Sequence, residues 1–254
     1  MLAATHEKQK AAPTAHQALP IKRFIEDSIG FVELLEVFGD DLTVANAARV
    51  SYHKESAYEF NQAQGEEVRE LSKRDKGLIS FLAKHRHATP FFHPQARFRI
   101  KMPIFIAREW YRHTVGFARN EMSRRYVTDA PEFYIPANLR QRDKDIKQGS
   151  SKEIVHNNQE LVAKMSANIQ ASFDLYNKLL DQNVCPEQAR TILPQSMYTE
   201  FIETASLAGY ARLAVLRLDP AAQKEIRDYA HLVSELMEQQ FPVSWKALIN
   251  AGNL

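Results

Sequence analysis

The chain has 254 residues, of which 44% are hydrophobic and 25% charged, and a formal net charge of +2. This is the balance of an ordinary folded globular protein, with no overall attraction to nucleic acid or an anionic membrane and enough length for one large or two small domains. The single cysteine, Cys185, excludes an intrachain disulfide and a cysteine-built zinc cage, in keeping with a cytoplasmic location, and no run approaches the roughly 20 apolar residues of a membrane span.

Residues 1–20 lack the continuous apolar core of a secretory signal, and 1–29 are expected to form a disordered arm ahead of a single domain over 30–254. Residues 31–38 (FVELLEVF) form a β-like or short buried segment that ends at Gly39-Asp40-Asp41. Asp41 or Thr43 could then cap a short helix reaching Ala48. Residues 53–64 are polar and loop-like. Residues 66–84 predict a helix with Val68, Leu71, Leu78, Phe81 and Leu82 on its apolar side.

A turn over 87–93 leads into a strand over 95–101. There Ala96, Phe98 and Ile100 alternate with Arg97, Arg99 and Lys101, giving one core face and one cationic face. Pro103 suits the first turn of a helix running to about His113, and Gly116 breaks it. A charged loop is expected over 140–150 and the longest helix over 151–180. Cys185-Pro186 opens a short helix to about Leu193. Residues 197–204 are β-capable, 205–216 helical, and Pro220 and Pro242 open two further helices. The sum is a helix-dominated α/β or α+β fold with a small, mostly antiparallel sheet.

The chemistry concentrates between Arg97 and Tyr126. Arg97, Arg99, Lys101, Arg108, Arg112, Arg119, Arg124 and Arg125 stand there against only Glu109 and Glu121. Such a field suits an anionic ligand, most simply phosphate. Arg112 and His113 fall at a helix C-terminus, where cations complement the macrodipole. If residues 120–126 are extended, Glu121, Ser123 and Arg125 project to one side as acceptor, hydroxyl and planar donor fork. Interleaved with Phe98, Trp110, Tyr111 and Phe117, the same arginines could instead track phosphates and stack bases as a nucleic-acid-binding module. Solvated surface or structural ion pairing is the plainest alternative for any such strip.

Arg112-His113, a short spacer and Asn120-Glu121-Met122-Ser123-Arg124-Arg125-Tyr126 resemble the signature of flavin-dependent thymidylate synthases. So do, in the family's order, Ala47-Ala48-Arg49-Val50-Ser51, Thr89-Pro90-Phe91 with His93, and Pro103-Ile104-Phe105-Ile106-Ala107-Arg108 with Trp110. The series continues with Glu132-Phe133-Tyr134-Ile135-Pro136, Ala189-Arg190 with Leu193-Pro194, Tyr198-Thr199, and Leu216-Arg217. The likeness spans roughly residues 30–248. It implies reductive methylation of dUMP to dTMP, with FAD as cofactor and NADPH and methylenetetrahydrofolate as cosubstrates. It also implies a homotetramer with active sites between subunits. No metal is expected, because His85, His87, His93 and His113 are not spaced for one helix face and have no carboxylate at ligand spacing, and the charge and hydropathy give no nucleic-acid or membrane partner.

By this resemblance Arg217 contacts and polarises the uracil ring, and Arg125 and Arg190 hold the nucleotide, phosphate included. Ser123 orients or polarises the nucleotide, and Glu109, at a position that is often Gln, touches it. Arg112 lies between nucleotide and flavin, with Glu121 also in the site. The flavin side is expected to draw on Ser51, His93, Arg112, His113, Thr114, Glu121, Ser206 and Arg212. Thr114 departs from the family's usual arginine, and the spacer to Asn120 is one residue longer, so Arg119 could supply a replacement phosphate contact. Ser206, Ala208 and Arg212 stand where Asn and Arg often face the flavin. These departures leave an inactive flavin- or nucleotide-binding relative as a further alternative. Cys185 reads as a small loop cysteine, without the surroundings of a nucleophile.

Overall fold

A computed structural model describes residues 19–63, 66–127, 129–143 and 150–252. Nine strands and eight α-helices are described: β1 Ile21–Phe24, β2 Phe31–Phe38, α1 Asp41–Arg49, β3 Glu59–Ala63, β4 Glu66–Glu70, α2 Lys73–Lys84, β5 Gln95–Pro103, α3 Ile104–Trp110, β6 Phe117–Glu121, β7 Arg140–Arg142, β8 Ser150–Ile154, α4 Asn158–Asp181, α5 Pro186–Ala189, β9 Tyr198–Ser206, α6 Leu207–Arg217, α7 Lys224–Gln240 and α8 Pro242–Ala251. A five-stranded sheet in the order β1-β2-β5-β9-β6 is antiparallel throughout. The helix-rich α+β expectation holds.

The alternation read in β5 is the organising feature. Ala96, Phe98, Ile100 and Met102 are buried with Val32 and Leu34 of β2 and Phe201 and Ala205 of β9. Over that apolar face α7 lies against β2, α6 against α7 and α8, and α8 against α2. Tyr210 of α6 meets the rings of Phe98 and Phe117 edge-on at 5.1 and 5.2 Å. A large side chain buried this fully contributes roughly 1.5–3 kcal/mol.

The other face of β5 is cationic, but its charge is matched locally. Arg97 pairs with Glu36 at 2.9 Å, Arg99 lies 3.5 Å from Glu33 and 3.7 Å from Glu200, and Lys101 pairs with Glu132. Glu36 and Glu33 are the cross-strand partners of Arg97 and Arg99 in the register with β2. Opposite charges facing each other across strands stabilise a sheet. The strip that suggested phosphate tracking is therefore largely sheet pairing at its first three cations.

Several boundaries differ from expectation. β1 pairs with β2, so the folded unit reaches back into the stretch assigned to a disordered arm. Only residues 1–18 of that arm lie outside the described residues. The polar stretch after residue 53 and the first turn of the expected 66–84 helix pair as the β3–β4 hairpin. Ser72 caps α2 by accepting from Asp75 N at 3.1 Å, which sets that helix's start. The 140–150 loop and the start of the 151–180 helix likewise hold the β7–β8 pair. α7 begins at Lys224, not at Pro220.

At α1 the cap is Asp40, in a reciprocal pair with Thr43. The carboxylate of Asp41 instead accepts from Val243 N and Ser244 N, at 2.9 and 2.8 Å, and so caps α8. Among the described residues no helix is long and apolar enough to cross a membrane.

Candidate active site

Arg217 closes α6, the C-terminal position a cation favours. Its Nε donates to His113 Nε2 at 2.9 Å, its Nη1 pairs with the Glu109 carboxylate, and its Nη2 reaches the Glu109 carbonyl oxygen at 3.5 Å. Glu109 lies in the last turn of α3, which ends at Trp110 and not at the expected His113. His113 hangs in the following turn, with its N–H on the Trp110 carbonyl at 3.2 Å. Gly116, at φ +78°, takes the left-handed conformation that swings the chain into β6. A cavity of about 630 Å³ opens beside this centre, lined by Glu109, Leu216, Arg217, Asp219 and Gln223 among others. That is a usual size for a small-ligand site.

A guanidinium only donates, so the His113 Nε2 that accepts from it carries no proton and the imidazole is neutral with its hydrogen on Nδ1. The electrostatic surroundings agree. Burial, then the positive charges of Arg217, Arg119 and Arg212, pull the His113 pKa down to about 4.

Beneath this centre lies a second, buried pair. Glu203 of β9 is fully buried, and Arg119 Nε donates to its Oε2 at 2.5 Å. Trp110 Nε1 donates to its Oε1 at 3.0 Å. Arg119 is the cross-strand partner of Glu203, and its guanidinium sits over the Phe117 and Tyr111 rings. With only 14% of its side chain exposed, Arg119 is committed to the interior. It does not replace the missing motif arginine at Thr114 as a phosphate contact.

The strip expected to be extended over 120–126 divides. β6 ends at Glu121, whose Oε1 accepts from Thr199 Oγ1 at 2.6 Å. Ser123–Tyr126 is then a turn, closed by Tyr126 N on the Ser123 carbonyl at 2.9 Å. Ser123 Oγ accepts from Arg125 N at 3.3 Å, an orienting contact within the turn. Arg125 points outward and lies 3.6 Å from Glu187 of α5, both side chains being well exposed. A surface pair of this kind holds an arginine only weakly. Arg190 is exposed three residues after Glu187, so Arg125 and Arg190 share one open edge. Among the described residues no hydrogen bond or ion pair joins this edge to the Arg217 centre.

Most of the residues expected on the flavin side are exposed. His93 precedes β5 and is exposed; the adjoining Pro94 carbonyl accepts from Leu207 N at 2.9 Å, tying this segment to the start of α6. Ser51, Arg112, Thr114 and Arg212 are exposed too. Exposed guanidinium, imidazole and hydroxyl donors fit a phosphorylated ring cofactor. Ser206 is different: it is buried, and its Oγ caps α6 by accepting from Gly209 N at 3.1 Å. Ala208 is fully buried. Sequence reasoning gave no role to Glu203, Thr199 or the cavity loop 218–223. A carboxylate at 203 between Phe201 and Ala205 breaks an apolar alternation and was the available signal for the first.

The thymidylate synthase complementing protein family matches residues 33–243. A flavin-dependent thymidylate synthase of Thermus thermophilus is 37% identical over 218 residues, covering 86% of this chain and 75% of that protein. One from Thermosipho africanus is 36% identical, covering 87% and 91%. Among solved structures, the UMP/dUMP methylase PolB from Streptomyces cacaoi bound with 5-Br UMP superposes with a TM-score of 0.73 at 29% identity, covering 87% of this chain and 94% of that one.

Proposed function

The chain belongs to the flavin-dependent thymidylate synthase family, and from that premise we propose that Arg217, flanked by Glu109 and His113, is the centre that receives the pyrimidine of dUMP. The reaction is reductive methylation of dUMP to dTMP, with methylenetetrahydrofolate as carbon donor and FAD reduced by NADPH. The observation that carries the assignment of the centre is the Arg217–Glu109–His113 cluster at the mouth of a nucleotide-sized cavity.

The chemistry of the side chains fits that role. Guanidinium donors beside a ring carbonyl stabilise the negative charge that develops as the neighbouring carbon attacks. The Glu109 carboxylate, an acceptor next to those donors, offers a partner for the ring N–H. Neutral His113 holds Arg217 in place without adding a competing positive charge. Ser123 orients the nucleotide, and Arg125 and Arg190 clamp its phosphate through planar, bidentate donors. Glu121 braces the strand that leads into this turn through Thr199.

Bound FAD supplies the reducing equivalents that NADPH delivers and the methyl transfer consumes. His93, Ser51, Arg112, Thr114 and Arg212 would hold it. His113 adjoins both ligands. Ser206 contributes there through its cap on α6, not through a free hydroxyl.

The phosphate edge and the Arg217 centre are joined across a homotetramer, a second protomer carrying its Arg125 and Arg190 to the cavity of the first. α4 supports such an assembly. Of its 24 residues only Ile169 and Tyr176 are buried, while Met165 and Leu175 remain exposed. A helix of this length is stabilised chiefly by packing an apolar face, and a partner protomer would provide it. A cytoplasmic location accords with this chemistry.

Purified protein should be yellow and should form dTMP from dUMP, methylenetetrahydrofolate and NADPH, with the flavin absorbance bleached by NADPH faster when dUMP is present. Protein that refuses added FAD, or binds it and forms no dTMP, would refute the reading. PolB is named as acting on UMP as well as dUMP. The same assay with UMP decides whether the ribonucleotide is also accepted here.

A further inference from the structure

The Arg119–Glu203 pair is an expensive way to stabilise a fold. Replacing a buried ion pair with apolar side chains of similar volume is often neutral or stabilising, so its presence asks for another explanation. One Arg119 nitrogen, Nη2, is buried without a hydrogen-bond partner, a further cost.

The carboxylate of Glu203 stands where the three elements that build the Arg217 centre meet. From α3 it receives Trp110 Nε1, the residue next to Glu109. From β6 it receives Arg119, on the chain that leaves the His113 turn. From α6 it faces Tyr210, which lies seven residues, about two helical turns, before Arg217.

Tyr111 belongs to the same turn as His113, and Arg119 lies over its ring at 5.3 Å. We infer that Glu203 is a positioning residue: with Arg119 it fixes where α3 and the 111–116 turn present Glu109 and His113 to Arg217. The inference rests on the role proposed for Arg217, but its most direct readout needs no substrate.

The test uses full-length, FAD-loaded protein and two variants: Arg119→Met, and the double variant Arg119→Met with Glu203→Leu. Burial already pushes the Glu203 carboxyl up against the pull of Arg119. In Arg119→Met, Glu203 therefore takes up a proton and keeps Trp110, so that variant folds. The double variant removes both buried charges but leaves Trp110 Nε1 without its acceptor, so it should fold and retain FAD while melting somewhat below the wild type.

In FAD-loaded protein without dUMP, histidine-selective 15N spectra should show wild-type His113 as the single Nδ1–H tautomer. The double variant should show a mixture, because Arg217 is no longer held against Nε2. Its kcat for dTMP formation should fall roughly 10²-fold, the scale of a 1 Å misplacement. A double variant with the wild-type tautomer and wild-type kcat would overturn the proposal. So would failure of Arg119→Met to fold, since the pair would then serve the fold alone. Wild-type protein that forms no dTMP would sink the functional reading instead, leaving the tautomer to judge the pair.

Discussion

Two arginine regions of this chain are built in opposite ways. Arg217 is closed in: a carboxylate and a neutral imidazole hold its guanidinium, and its side chain is 19% exposed. Arg125 and Arg190 are open: one has a loose surface partner, and both project from a turn and a short helix at the edge. A group that must meet a developing charge at one atom gains from being fixed beforehand. A group that grips a flexible phosphate gains from freedom to close on it. The contrast supports the proposal that the closed region meets the base and the open one the phosphate.

The largest expected effect tests the closed region. Arg217→Ala should lower kcat for dTMP formation by roughly 10²–10³-fold or more while FAD stays bound, as judged by turnover alongside flavin absorbance. Wild-type turnover would remove Arg217 from the mechanism. At the open region, Arg125→Ala should weaken dUMP by about 2–3 kcal/mol, roughly 30- to 160-fold, in a calorimetric titration. Unchanged affinity would place the phosphate elsewhere.

A pH experiment sharpens the contrast. The folded pKa of His113 lies near 4, below the ordinary 6.5. Between those values the unfolded chain binds more protons, so stability is full above about 6.5 and is lost as pH falls towards 4. The depressed carboxylates of Asp75 and Glu225 act in the same direction at lower pH. The melting temperature of the wild type should therefore fall more steeply over this range than that of His113→Asn; equal slopes would mean that His113 is not held neutral. The smallest effect belongs to Cys185, exposed just before α5 and not among the side chains paired in either region. Cys185→Ala should keep nearly all activity in the same turnover assay, and complete loss would recast it as a nucleophile.

Much of this was legible in the sequence, for identifiable reasons. The alternation in β5 gave both its faces, and the ordered motifs gave the family. Residues 66–84 misled because Val68 and Leu71 extend the helical spacing of α2 backwards across a hairpin. Only the Ser72 cap marks the true start. The 120–126 strip misled because period-2 reasoning assumes an extended chain, and the Ser123 turn ends it after Glu121. Arg119 resembled a free cation because its neutralising partner, Glu203, lies 84 positions away and meets it only through strand register. Charge pairing between distant strands is invisible to local pattern.

The base-and-phosphate division is tested most directly by comparing dUMP with deoxyuridine, which lacks the phosphate, in binding to the wild type, Arg125→Ala and Arg217→Ala. Arg125→Ala should weaken dUMP and leave deoxyuridine unchanged, while Arg217→Ala should weaken both. If Arg125→Ala weakened deoxyuridine as much as dUMP, or Arg217→Ala spared it, the two regions would not divide the nucleotide as described.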